Sequence, residues 1–123
     1  MEFDSLSRKV IGLVIEVHRE LGPGLLESTY EKCLVHELNM NLIENSSQVE
    51  IPIIYKGFKI DCGFRLDLLI QEKLIIELKS VKTLLPIHEA QLLTYMKLAK
   101  IKTGLLINFN RKLIKDEIKR LVI

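Results

Sequence analysis

The apolar residues of this chain change their spacing near residue 49, and that change restricts the fold more than any other feature. From Ser5 to Leu21, the residues Leu6, Val10, Leu13, Val14, Val17 and Leu21 recur at three- and four-residue intervals. This is the pattern of a helix with one buried face, and Asp4 or Ser5 is a suitable N-cap for it. Gly22-Pro23-Gly24 stops the helix, because glycine accepts left-handed dihedrals and proline cannot continue the hydrogen-bond ladder. A second helix is expected from about Leu25 to Asn39.

Beyond Val49 the pattern is that of strands. Val49–Tyr55 is rich in β-branched residues, and Lys56-Gly57 signals a turn before Phe58–Cys62. Pro52 suggests an edge strand or a bulge. Phe64, Leu66, Leu68 and Ile70 alternate with Arg65, Asp67 and Leu69, and Gln71-Glu72-Lys73 reads as a hairpin loop into Leu74–Val81. Pro86 fits the first turn of a third helix reaching about Lys100, Thr103–Phe109 is an apolar strand, and Lys112–Leu121 reads as a short terminal helix. A strand–helix–strand crossover makes Thr103–Phe109 parallel to Leu74–Val81. The expected fold class is α/β, with a mixed β-sheet of about four to five strands flanked by helices.

With 123 residues, 48% of them hydrophobic and 28% charged, the chain reads as one globular domain, 1–123, with neither disorder nor repeats. No apolar run approaches the ~18–20 residues of a membrane span, and the first residues do not read as a secretory leader. Cys33 and Cys62 are too few for a disulfide scaffold, and both read as small core residues. A membrane protein, a secreted mini-protein and a zinc ribbon are excluded on these grounds, and a cytoplasmic location is expected. Charge is uneven. Residues 1–96 hold ten Lys and Arg against fourteen Asp and Glu, while residues 97–123 hold eight against two. The basic end reads either as a solvated surface or as a phosphate-facing track, the latter only if it lies beside Asp67.

Strand alternation then selects candidate residues. If Gln71-Glu72-Lys73 is a three-residue loop, Ile70 pairs with Leu74 and Asp67 stands opposite Glu77. Opposed residues share a face, with Cβ atoms ~4.5–5.5 Å apart. Two carboxylates this close repel unless a cation lies between them, and a hard divalent ion such as Mg²⁺ suits one or two carboxylates. Lys79, on the same face, would orient a water or stabilise developing charge. The competing reading is a surface ladder of Asp67–Lys79 and Glu77–Lys73 ion pairs, which contributes little. Glu27 places a carboxylate in the apolar stripe of the second helix, either for chemistry or as a favourable charge in its first turn. On the third helix His88, Gln91 and Tyr95 form one stripe, although a lone His88 is more often an exposed or capping residue than a ligand. His18 and His36 have no partners at metal-ligand spacing and read as structural. Phosphate-loop, dinucleotide-binding and serine-elbow motifs are absent from the sequence.

Asp67, then Glu77-Leu78-Lys79 across a hairpin and before a helix, resembles the PD-(D/E)XK nuclease superfamily. Gln91…Tyr95 resembles the Gln-x-x-x-Tyr motif of its RecB-type members. The blocks VHRELGPGLLESTYE, YKGF, RLDLLI, IIELKSV, HEAQLLTYMKL and GLLINFN resemble, in order, the GxxExxY protein family, whose name-giving residues are here Gly24, Glu27 and Tyr30. The resemblance implies a restriction-endonuclease-like core and Mg²⁺- or Mn²⁺-dependent hydrolysis of phosphodiester bonds. Asp67, Glu77 and Glu27 would serve the metal and Lys79 the water. Gln91, Tyr95, Tyr30, His88 and Arg65 would support the site or the substrate. Leu66 stands where the motif has proline. Nucleic acid, DNA first, is the implied partner, acting with a second copy or another protein. The alternative is a non-catalytic nucleic-acid-binding or regulatory module that keeps the nuclease fold.

Overall fold

A computed structural model describes residues 4–61 and 63–123. Helix α1 (Ser5–Leu21) starts where Asp4 Oδ1 accepts the Ser7 N–H at 2.8 Å, and it ends at Gly22, whose φ is +69°. After the Gly22–Gly24 turn comes α2 (Glu27–Met40). Strand β1 (Asn45–Glu50) is followed by a small hairpin of β2 (Ile53–Tyr55) and β3 (Phe58–Ile60). Then come β4 (Arg65–Ile70), β5 (Leu74–Lys79), α3 (Pro86–Ala99), β6 (Thr103–Asn108), a 3₁₀ turn (Ile114–Glu117) and β7 (Ile118–Val122). The main sheet has five strands in the order β1-β4-β5-β6-β7, with β5 and β6 parallel and the other neighbours antiparallel.

Alternation along the central strands fills both faces. Leu68, Ile76, Leu78, Leu105 and Ile107 pack against Val10 and Val14 of α1 and Tyr30, Leu34 and Leu38 of α2. Leu69, Ile75 and Leu106 meet Leu92, Tyr95 and Met96 of α3 on the other side. Gly104 permits the close approach of α3, since a Cβ there would stand 2.9 Å from Met96 Sδ. Burying both faces explains why β5 and β6 read as continuous apolar runs.

Three expectations need correction. The Val49–Tyr55 run is not one strand: the chain leaves the main sheet after Glu50, and Pro52, which has no N–H for a ladder, lies outside both β1 and β2. The predicted Phe58–Cys62 strand ends at Ile60, and Cys62 lies outside the described residues. The terminal segment is not a helix. Ile114, Ile118 and Leu121 satisfy helical spacing, but the outer edge of β6 needs backbone partners, and β7 supplies them from Thr103↔Val122 to Ile107↔Ile118. The basic end therefore lies at the far edge of the sheet, separated from β4 by β5 and β6, and not beside Asp67. Arg111 pairs there with Glu117, Lys119 with Glu89 and Arg120 with Asp4.

Candidate active site

The β4–β5 hairpin has the register expected from its loop: Ile70↔Leu74, Leu69↔Ile75 and Leu68↔Ile76. The ladder then stops one position short of Asp67 and Glu77. Asp67 Oδ2 accepts the Leu78 N–H at 2.8 Å, so a side chain replaces backbone pairing there. On the opposite side of β4 the β1 ladder also skips this level, between Ser47↔Leu68 and Val49↔Leu66. Gln48, the residue passed over, has φ +53°, a costly conformation for a non-glycine residue. Both neighbours thus separate from β4 at Asp67, and the sheet opens where the carboxylate stands.

Glu77 is buried, with 5% of its surface exposed. Burial first, then the neighbouring Asp67 carboxyl, pushes the Glu77 pKa up to about 9, with Lys79 opposing and Glu27 adding to the rise. Removal from water thus favours the neutral form of Glu77. Among the described residues no ion pair joins Asp67 or Glu77 to a lysine, so the surface-ladder arrangement does not form.

The Gly24–Tyr30 segment supplies the next wall. Gly24 (φ +96°) turns the chain, and buried Tyr30 holds the turn: its hydroxyl donates to Gly22 O at 2.6 Å and accepts the Leu25 N–H at 3.1 Å. Its ring stacks on Phe109 with centroids 4.2 Å apart. Glu27 is exposed at the first position of α2, and its Oε1 accepts the Ser80 N–H at 3.2 Å, while Ser80 Oγ donates to Leu25 O at 2.7 Å. These bonds join the start of α2 to the end of β5. Buried Asn108 secures the same end, donating to Val81 O and accepting the Val81 N–H.

On the α3 side Gln91 Nε2 donates to Tyr95 Oη at 2.9 Å. Burial, then the charge of Glu77, raises the Tyr95 pKa. His88 is turned away from that role: its Nδ1 accepts the Leu85 N–H at 3.0 Å and caps α3. Arg65 is exposed at the start of β4, opposite Glu50.

Two further residues belong to this cleft. Gln48 Nε2 donates to Glu31 Oε1 at 2.7 Å and approaches Asp67 Oδ1 at 3.5 Å, and a cavity of about 410 Å³ is lined by Glu27, Ser28, Glu31, Gln48, Asp67 and Leu78. Burial and the nearby Asp67 charge raise the Glu31 pKa. Glu31 lies one helical turn after Glu27, a spacing that signals a shared face. Nothing in Ser46-Ser47-Gln48 signals Gln48. Among the described residues no three His, Cys, Asp or Glu side chains gather closely enough to hold a metal.

A family model described as the PD-(D/E)XK nuclease superfamily matches residues 4–121. No curated protein and no solved structure matches the chain. The five-stranded mixed sheet with its three helices is consistent with the restriction-endonuclease-like fold.

Proposed function

The chain belongs to the PD-(D/E)XK nuclease superfamily, and from that membership we propose that it hydrolyses DNA phosphodiester bonds with a divalent cation, Mg²⁺ or Mn²⁺, held by Asp67 and Glu77. Within the superfamily its Gly24, Glu27 and Tyr30 support a place in the GxxExxY family. The observation that carries this reading is the buried Glu77 carboxyl, whose pKa is raised by burial and by the neighbouring Asp67. Two neighbouring carboxylates offer hard oxygen donors that suit Mg²⁺, which takes one or two carboxylates and keeps several waters. When bound, such an ion supplies Lewis-acid activation of phosphate and water.

The protein's own groups do the remaining work. Lys79, adjacent to Glu77 on the same face of β5, orients the attacking water and stabilises charge that develops on the phosphate. Gln91 orients the Tyr95 hydroxyl, on which the charge of Glu77 acts. Glu27 acts by position, tying α2 to the backbone of Ser80, one residue after Lys79.

Purified protein with Mg²⁺ or Mn²⁺ should cut at least one of single-stranded, duplex or branched DNA, and chelation should stop it. Lys79→Ala should slow cutting by about 10²-fold or more. Unchanged cutting by Lys79→Ala or Asp67→Ala refutes the assignment. Salt-sensitive DNA binding without any cutting would support the non-catalytic module instead.

A further inference from the structure

The β2–β3 hairpin stands outside the main sheet and exposes large apolar groups that the core does not need. Tyr55 is 57% exposed and Phe58 is 74% exposed. They are register partners, so both rings lie on one face of the hairpin, together with Ile53 and Ile60. Lys56 and Gly57 between them have φ of +49° and +84°, the left-handed values of a tight two-residue turn, which fixes the rings at the tip. Lys56 Nζ lies 5.4 Å from the Tyr55 ring centre. From Ile53 to Ile60 the only charged residues are Lys56 and Lys59.

Beside the hairpin runs an apolar groove of about 240 Å³, lined by Ile53, Phe64, Ile87, Thr94, Tyr95 and Leu98. Phe64 and Tyr95 meet there with ring centres 5.9 Å apart. Gln91 and Tyr95, the hydrogen-bonded pair on α3, both line this groove. Helix α3 is apolar on its outer side as well as its inner one, with Ile87 65% exposed, so this flank is built to be covered.

We propose that the β2–β3 hairpin and α3 form a clamp for an unpaired nucleic-acid strand, with bases stacked on Tyr55 and Phe58 and seated in the groove, and phosphates beside Lys56 at the tip. Aromatic faces next to a lysine match a strand whose bases are open for stacking and whose backbone is negative. A duplex hides its base faces and offers nothing to Tyr55 and Phe58. Lys56, 5.4 Å from the Tyr55 ring centre, supplies the positive charge that favours a polyanion over an apolar protein surface. This inference names the substrate form for the proposed nuclease and rests on that reading for its biological meaning, although the binding itself can be measured separately.

The test is fluorescence anisotropy in EDTA, with a labelled oligothymidylate and a blunt duplex of the same length. The single strand should bind at least tenfold more tightly than the duplex. Tyr55→Ala with Phe58→Ala should weaken single-strand binding about tenfold or more and leave duplex binding unchanged. Tyr55→Phe with Phe58→Tyr should bind as the unaltered protein does, and circular dichroism checks that each variant is folded. Should the alanine pair not fold, Lys56→Glu serves in its place and should also weaken single-strand binding. Equal affinity for duplex and single strand, or full single-strand affinity in the alanine pair, overturns the proposal. So does loss of a concentration-dependent dimer in sedimentation with nucleic-acid binding intact, which would make the patch a self-association surface. Hydrolysis of bis(p-nitrophenyl) phosphate with Mn²⁺ reads the carboxylate site alone: it should respond to Asp67→Ala and not to the hairpin variants. The clamp and the catalytic assignment can therefore fail independently.

Discussion

Glu77→Gln isolates the cost of keeping a carboxyl inside the sheet. In the folded protein burial and Asp67 raise the Glu77 pKa to about 9, against 4.5 for a free side chain. The unfolded chain therefore releases this proton above pH 4.5 while the folded chain retains it. A raised acid pKa contributes stability that is fully present below the unfolded value and is lost as pH rises towards the folded value. Each pH unit in that window is equivalent to about 1.4 kcal/mol. Between about pH 5 and 7.5 the metal-free protein should thus lose about 3 kcal/mol from this group. The amide that replaces the carboxyl in Glu77→Gln cannot titrate, so the variant should lose less than about 1 kcal/mol over the same interval. Urea unfolding in EDTA at several pH values measures both slopes. If wild type and Glu77→Gln show the same slope across that interval, the account of Glu77 as a buried, protonated carboxyl is wrong.

Other outcomes follow from single contacts. Tyr30→Phe removes the hydroxyl that holds Gly22 and Leu25, so it should cost about 1–3 kcal/mol in thermal or chemical unfolding. It should also lower cleavage activity, because the turn it releases leads into Glu27. Asp4 is held down to about 2, first by the Ser7 N–H and then by Arg120, so its stabilisation should be lost as pH falls from 3.8 towards 2. Asp4→Ala should remove that acid dependence and cost about 1 kcal/mol near neutrality, read from denaturant midpoints. Gly104→Ala drives a methyl group into Met96 and Leu92 and should destabilise by about 1–3 kcal/mol; a neutral result would show that α3 can move away from the sheet.

Much of the fold could be read because local and long-range demands agreed. Asp4, the apolar stripe of α1 and Gly22 specify one helix with both ends, and no other element contests them. The three-residue loop determines the β4–β5 register because a one-residue slip would turn Leu68 and Ile70 out of the core. Asp67 and Glu77 could be paired by counting from that loop. Local pattern was insufficient where a distant edge decided the outcome. Residues 114–121 have spacing that suits a helix, and only the exposed flank of β6 makes residues 118–122 a strand. Gln48 enters the cleft through a left-handed backbone angle that arises where the ladder opens, and no residue type announces it. Glu27 illustrates the opposite case. Its place in the apolar stripe suggests burial, yet at the first turn of α2 it lies clear of the core and reaches the backbone of Ser80.

The central claim is that Asp67 and Glu77 together hold one divalent cation. Crystals grown with Mn²⁺ and measured at the manganese absorption edge test it most directly. The account predicts one anomalous peak between the Asp67 and Glu77 carboxyl groups, absent from Asp67→Ala crystals. A map without a peak at those carboxyls, at Mn²⁺ concentrations that support cleavage, would contradict it.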